Sequence, residues 1–154
     1  MVRRLTVLQN PDTDDALAAS RPRWHWVLIG AGFVITLFLP LAQLGVWLGQ
    51  RLSVTASEHG ALRVGLGALP VAGSFLLACG LAGALVGRFG GRAKTREAAL
   101  SGALGAFTGW GIAALGGALT PWLVALISLL VLVSFGAGAA FIGARLGLGS
   151  RPSV

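Results

Sequence analysis

The sequence predicts an all-α fold: an integral membrane bundle of four transmembrane helices, both termini cytoplasmic, packed through glycine and alanine. Three observations carry that prediction. Of 154 residues, 55% are hydrophobic and only 11% charged, whereas soluble domains carry about 25% charge. The ionisable residues are bunched and leave three long stretches almost or wholly free of them. Glycine supplies 24 residues, well above the usual ~7% and without the every-third spacing of collagen; in apolar segments this suits helices packed at short distance. A water-soluble single core is excluded, and so is a disordered chain, which needs low hydrophobicity and high charge.

Residues 1–23 read as a cytoplasmic N-terminal segment. After Arg3 and Arg4 the apolar run extends only from Leu5 to Leu8, and Asp12, Asp14 and Asp15 follow. That is too short for the core of a cleaved secretory signal. Pro11 to Asp15 followed by Ala16 to Ala19 reads as the start of a short helix with acids at its positive end. As a divalent-metal site the three aspartates lack further ligands.

The membrane domain occupies residues 24–147, with spans at about 25–48, 65–87, 98–118 and 121–145, and residues 148–154 form a cytoplasmic tail. Between Arg23 and Arg51 only His25 can titrate, and between Arg63 and Arg88 there is no charge. A span needs roughly 20 apolar residues at about 1.5 Å each, so each stretch is one helix. Residues 98–144 contain no Asp, Glu, Lys, Arg or His. As one helix they would run roughly 70 Å, which is right for two spans. Gly116-Gly117 then marks a helix end, with Thr120 as N-cap and Pro121 in the first turn of the next helix.

The aromatic residues agree with this division. Trp26 and Trp47 are separated by roughly 32 Å of helix, close to the hydrocarbon thickness. Trp122 marks the outer end of span four. Trp110 lies inside span three and is expected against lipid or a neighbouring helix. Pro40 and Pro70 are expected to kink their helices.

Orientation follows from the basic residues. Arg3, Arg4, Arg21, Arg23, Arg88, Arg92, Lys94, Arg96, Arg145 and Arg151 fall on one side, against Arg51 and Arg63 on the other. This positive-inside bias places both termini in the cytoplasm. The net charge of +7 is therefore read as a topology signal, and nucleic acid is not expected as a partner. Eleven of the twelve basic residues are arginine. With the Gly and Ala richness this suggests a bacterial chain, so the expected location is the inner membrane.

Span three has the most specific pattern. Ser101, Gly105, Gly109, Ala113 and Gly117 recur every fourth residue, with Gly102 and Ala106 on the flank, and such spacing makes a flat face that another backbone can approach. Gly83 and Gly87 in span two and Gly143 in span four continue the theme. This face serves either packing within the bundle or an interface with a partner subunit or a second copy. Gly80, Ala84, Gly87 and Gly91 are also echoed by Gly136, Ala140, Gly143 and Gly147, which would fit two related hairpins.

Chemistry is sparse. No nucleophile–base set, HExxH, P-loop or dinucleotide fingerprint is present, and the glycines around Gly65 and Gly67 lack a strand–helix context. Cys79 is the only cysteine, which excludes an intrachain disulfide and a cysteine metal cluster; in mid-membrane it reads as an apolar spacer. Gln43 lies near the outer end of span one, and Thr36, Ser74, Thr108, Ser128 and Ser134 are scattered hydroxyls. Hydroxyls in spans bond back to their own helix, so no role is assigned to them. The lack of a membrane acid argues against a small proton-coupled exporter. In the first outer loop, Thr55 and Glu58 have capping-box spacing, which would start a helix near Ala56. Glu58, His59 and Arg63 form its polar cluster, read as an interfacial collar.

The expected function is non-enzymatic and cofactor-free: a structural or accessory subunit of a membrane assembly, with anionic lipid at its arginine-rich cytoplasmic face. A small oligomeric channel or transporter is the alternative. A pore would align hydroxyls along a helix face, whereas an interface would align small apolar residues.

Overall fold

The computed structural model describes residues 24–55, 60–90, 95–115 and 122–149. They form four helices: α1 (Trp24–Thr55), α2 (Gly60–Phe89), α3 (Thr95–Leu115) and α4 (Trp122–Gly149). All four are long and apolar enough to cross a membrane, the architecture of a multi-pass membrane protein. Residues 1–23, with the aspartate cluster, and the tail beyond Gly149 lie outside the described residues.

The helices overrun the apolar stretches that predict them. With 32 residues, α1 is about 48 Å long, against a hydrocarbon core of about 30 Å. Its last turns are polar, and Ser53 Oγ donates to the carbonyl of Gln50 at 2.9 Å. Thr55 is the last described residue of α1; residues 56–59, where the capping-box spacing would start the next helix, lie outside the described residues. α2 begins at Gly60, ahead of the expected residue 65. α3 begins at Thr95 and takes in Arg96 and Glu97; an acid in the first turn suits the positive helix end. α4 runs on past Arg145 to Gly149. Pro40 and Pro70 sit inside continuous helices.

Around the bundle the order is α1, α2, α4, α3 and back to α1. α2 and α3 also touch across the middle, whereas α1 and α4 do not meet among the described residues. Successive helices run in opposite directions, so α1 is parallel to α3 and α2 to α4. The Trp24 end therefore carries Arg88 and Arg145, the latter stacked over Phe141 at 4.7 Å. The opposite end carries Arg51, over Trp47 at 5.5 Å.

All four helices converge only in the half toward Trp24. The fully buried residues there are Val34, Ala78, Cys79, Ala82, Val86, Ala98, Ser101, Ala140 and Ala144, nearly all of them small. Large side chains point outward: Leu115 is 91% exposed while Ala78 is 0%. That inversion of the soluble rule fits a lipid surround, which offers no drive to bury leucine and leaves close contact to hold helices together. In the other half the contacts are pairwise. Gly45 and Gly49 of α1 lie against Pro70 and Gly67 of α2, and Trp110 joins α3 to α4.

Candidate helix-packing interface

The tightest contact is between α2 and α4. Gly80-Leu81-Ala82-Gly83-Ala84-Leu85-Val86-Gly87 and Ala140-Phe141-Ile142-Gly143-Ala144-Arg145-Leu146-Gly147 share one pattern of small residues. A Cβ added at Gly83 would fall on the backbone of Ala140, and one at Gly143 on the backbone of Gly80. One at Gly87 would lie 2.5 Å from the carbonyl oxygen of Ala144, and one at Gly147 would strike Ala84. The pairing is reciprocal. Exchanging the two segments turns the Gly83–Ala140 contact into Gly143–Gly80, and Gly87–Ala144 into Gly147–Ala84. Two parallel helices that exchange contacts in this way are related by a local two-fold axis, as in a symmetric helix dimer, here built within one chain.

The register differs from the echo read in the sequence. That reading matched Gly80 with Gly136; the structure matches Gly80 with Ala140. In the observed register Gly83 is equivalent to Gly143, and Gly143 packs on the backbone of Gly80.

The stripe on α3 divides between two neighbours. Toward α1, a Cβ at Gly105 would sit 2.8 Å from Val34 Cβ, and one at Gly30 would sit 2.6 Å from Ser101 Cβ. Ser101 is buried, its Oγ donating to the carbonyl of Ala98 at 2.7 Å. Toward α4, Gly102 faces the backbone of Gly136, whose own added Cβ would lie 3.2 Å from Ala106 Cβ. Gly109 does not continue either contact: it is exposed, and a Cβ there meets nothing within 4 Å. Ala113 is half-buried, and Gly117 lies outside the described residues. A four-residue spacing turns by about 40° per step around a helix with 3.6 residues per turn. The stripe therefore rotates off the packed face after Gly105 and is not one flat surface.

Trp110 supplies a polar link that the sequence left open. Its indole Nε1–H donates to the carbonyl of Ala125 at 3.0 Å and to Ser128 Oγ at 3.2 Å. Ser128 Oγ itself donates to the Ala125 carbonyl at 2.8 Å. Ser128 thus has a part beyond its own helix. The signal for it was Trp110 itself, an indole donor within an apolar helix and therefore in need of an acceptor. Thr36, Ser74 and Thr108 bond back to the carbonyls of Gly32, Pro70 and Leu104 at 2.8–2.9 Å, as hydroxyls in spans do.

In the outer-loop cluster, Arg63 is exposed in the first turn of α2; Glu58 and His59 lie outside the described residues. Among the described residues no group of three His, Cys, Asp or Glu could hold a metal ion, and Cys79 is buried. A shallow groove between α1 and α3 is lined by Val27, Leu28, Leu100, Leu104 and Phe107, with Val133 of α4 at its edge. It offers an acyl chain an apolar bed and no acid–base group. No family model, curated protein or solved structure matches the chain.

Proposed function

We propose that the protein is a non-enzymatic structural or accessory subunit of a membrane protein assembly, in a bacterial inner membrane with both termini in the cytoplasm. The observation that carries this reading is the side-chain order across the bundle. Small residues occupy the contacts between helices, while a surface of Leu, Ile, Val and Phe, with the unfilled Gly109 and half-buried Ala113 among them, faces outward. A chain built this way is a stiff insert that offers side-on contacts to neighbours in the membrane. The orientation is supported by the basic residues, since Arg88 and Arg145 lie at the Trp24 end of the bundle, which is the end where the arginine-bearing first segment joins α1 in the sequence. Anionic lipid would gather at that end. A second reading, a small oligomeric channel, is favoured by one observation: Thr36 and Gln43 face away from the bundle, where an oligomer could turn them toward a shared path.

Purification of the full chain in mild detergent tests the first reading. Other membrane proteins should co-purify in fixed ratio to it; a chain that consistently emerges without them is not an accessory subunit. Reporter fusions test the orientation separately. Fusions after Val154 and within residues 88–96 should report cytoplasm, and one near Ser57 the outside. An external C-terminus would reverse the model.

A further inference from the structure

The face of α1 turned away from the bundle carries a pattern that packing within the chain does not use. Between Trp24 and Gln50 the polar side chains of α1, tryptophans aside, are His25, Thr36, Gln43 and Gln50. At about 100° per residue all four fall within about 40° of one line. Gly32, Leu39 and Val46 lie on the same line, so Gly32, Thr36, Leu39, Gln43, Val46 and Gln50 alternate steps of four and three. All six are exposed. The residues of α1 that the bundle buries, including Gly30, Val34, Gly45 and Gly49, lie on the opposite side. α4 does not reach α1, and a Cβ added at Gly32 meets nothing within 4 Å.

Gln43 is the residue that demands an explanation. It sits one turn, about 6 Å, before Trp47, which has Arg51 over its ring, a pair suited to the membrane–water interface. Side chains on a helix lean toward its N-terminus. The Gln43 amide is therefore aimed deeper into the bilayer and away from the nearer water. Among the described residues it has no hydrogen-bond partner. A primary amide facing hydrocarbon needs one. Thr36, by contrast, donates to its own helix at Gly32.

We infer that α1 is a self-association helix: two copies of the chain pair in parallel through the Gly32–Gln50 stripe, with Gln43 hydrogen-bonded to Gln43 of the partner subunit. A second copy is the occupant because a parallel two-fold pair sets identical residues at identical depth. An amide is complementary to itself, each carbonyl accepting from the other's NH2. The alternating four–three spacing is the seam of a left-handed helix pair, in which one polar residue at a seam position fixes register and favours two strands. Gly32 lets the helices close at the other end of the seam. The inference rests on the membrane-assembly reading only in placing α1 in a bilayer.

The test uses the full chain in a Cys79→Ala background with single cysteines on α1, oxidised in native membranes. Cysteines replacing Leu39, Val46 and Gln50 should give disulfide-linked dimers. Cysteines replacing Leu44 and Leu48, which are also exposed but off the stripe, should not. In mild detergent, sedimentation equilibrium should show a dimer whose dissociation constant rises about tenfold in Gln43→Leu and stays near wild type in Gln43→Asn. Gln43 is exposed, so these variants leave the bundle's packing intact. Cross-linking without face preference, a monomer at every concentration, a ring of more than two chains, or an unchanged Gln43→Leu dimer would each overturn the proposal. A monomer that still co-purifies with other membrane proteins removes the pairing and keeps the subunit reading. A dimer that emerges alone does the reverse.

Discussion

Isoleucine at Gly83 or at Gly143 should cost the protein a large part of its stability, and the two variants should lose nearly the same amount. The added Cβ lands on the backbone of the opposite helix, on Ala140 in one case and Gly80 in the other. Backbone cannot rotate aside as a side chain can, so α2 and α4 must separate. Overpacking costs about 1–3 kcal/mol where side chains can shift, and a backbone obstacle belongs at or above the top of that range. Domains as a whole hold only about 5–15 kcal/mol. Thermal unfolding in detergent should therefore move down by many degrees for both. Isoleucine at Gly73 or Gly138, where nothing lies within 4 Å, provides the control and should leave the transition in place. The equality of the Gly83 and Gly143 effects is the sharper part of the test. A large effect at one and none at the other would mean that α2 and α4 do not cross symmetrically.

The second large effect separates two glycines that a sequence motif treats as one. Gly105→Ile forces side-chain atoms into Val34, itself only 1% exposed, and should lower stability by about 1–3 kcal/mol. Gly109→Ile projects into open space and should leave the isolated chain as stable as wild type. If Gly109 forms part of a contact with another subunit, the same variant should lose its co-purifying proteins while remaining folded. Both variants should insert normally, because isoleucine is more favourable in the bilayer than glycine. Equal destabilisation by the two would place Gly109 inside the bundle and contradict the packing described for α3.

The helices were legible because charge is costly in hydrocarbon. Arg51, Arg63 and Arg88 mark the ends of the apolar stretches of α1 and α2, each lying inside its helix within a few residues of the end, and Gly116 to Pro121 separate α3 from α4 in the sequence. The ends were less legible because a helix need not stop where the membrane does. α2 starts at Gly60, and α4 carries Arg145 well within it. The packing partners were the hardest to read. With so many Gly and Ala residues, several registers look alike in sequence. Only the crossing of α2 with α4 decides that Gly80 answers to Ala140 and not to Gly136. The departure of Gly109 from the packed face follows from helical rotation and could have been foreseen. The acceptor role of Ser128 needed its distance from Trp110 in space. The outward stripe of α1 was present in the sequence, but Gln43 and Thr36 gain meaning only once the opposite face of α1 is known to be occupied.

The two-fold relation between α2 and α4 has a consequence for biosynthesis. α2 enters the membrane before α4 has been made, with a glycine surface shaped to receive a parallel helix of its own kind. Until α4 arrives, the nearest helix of that description is α2 on another nascent chain. The link through α3 resolves the competition, because it holds α4 beside α2 at an effective concentration that a neighbouring ribosome's product would have to exceed. A chain interrupted between α3 and α4 would keep the sticky surface and lose the tether. Such fragments would pair with one another across copies, so completing α4 is also what keeps that surface from joining separate chains.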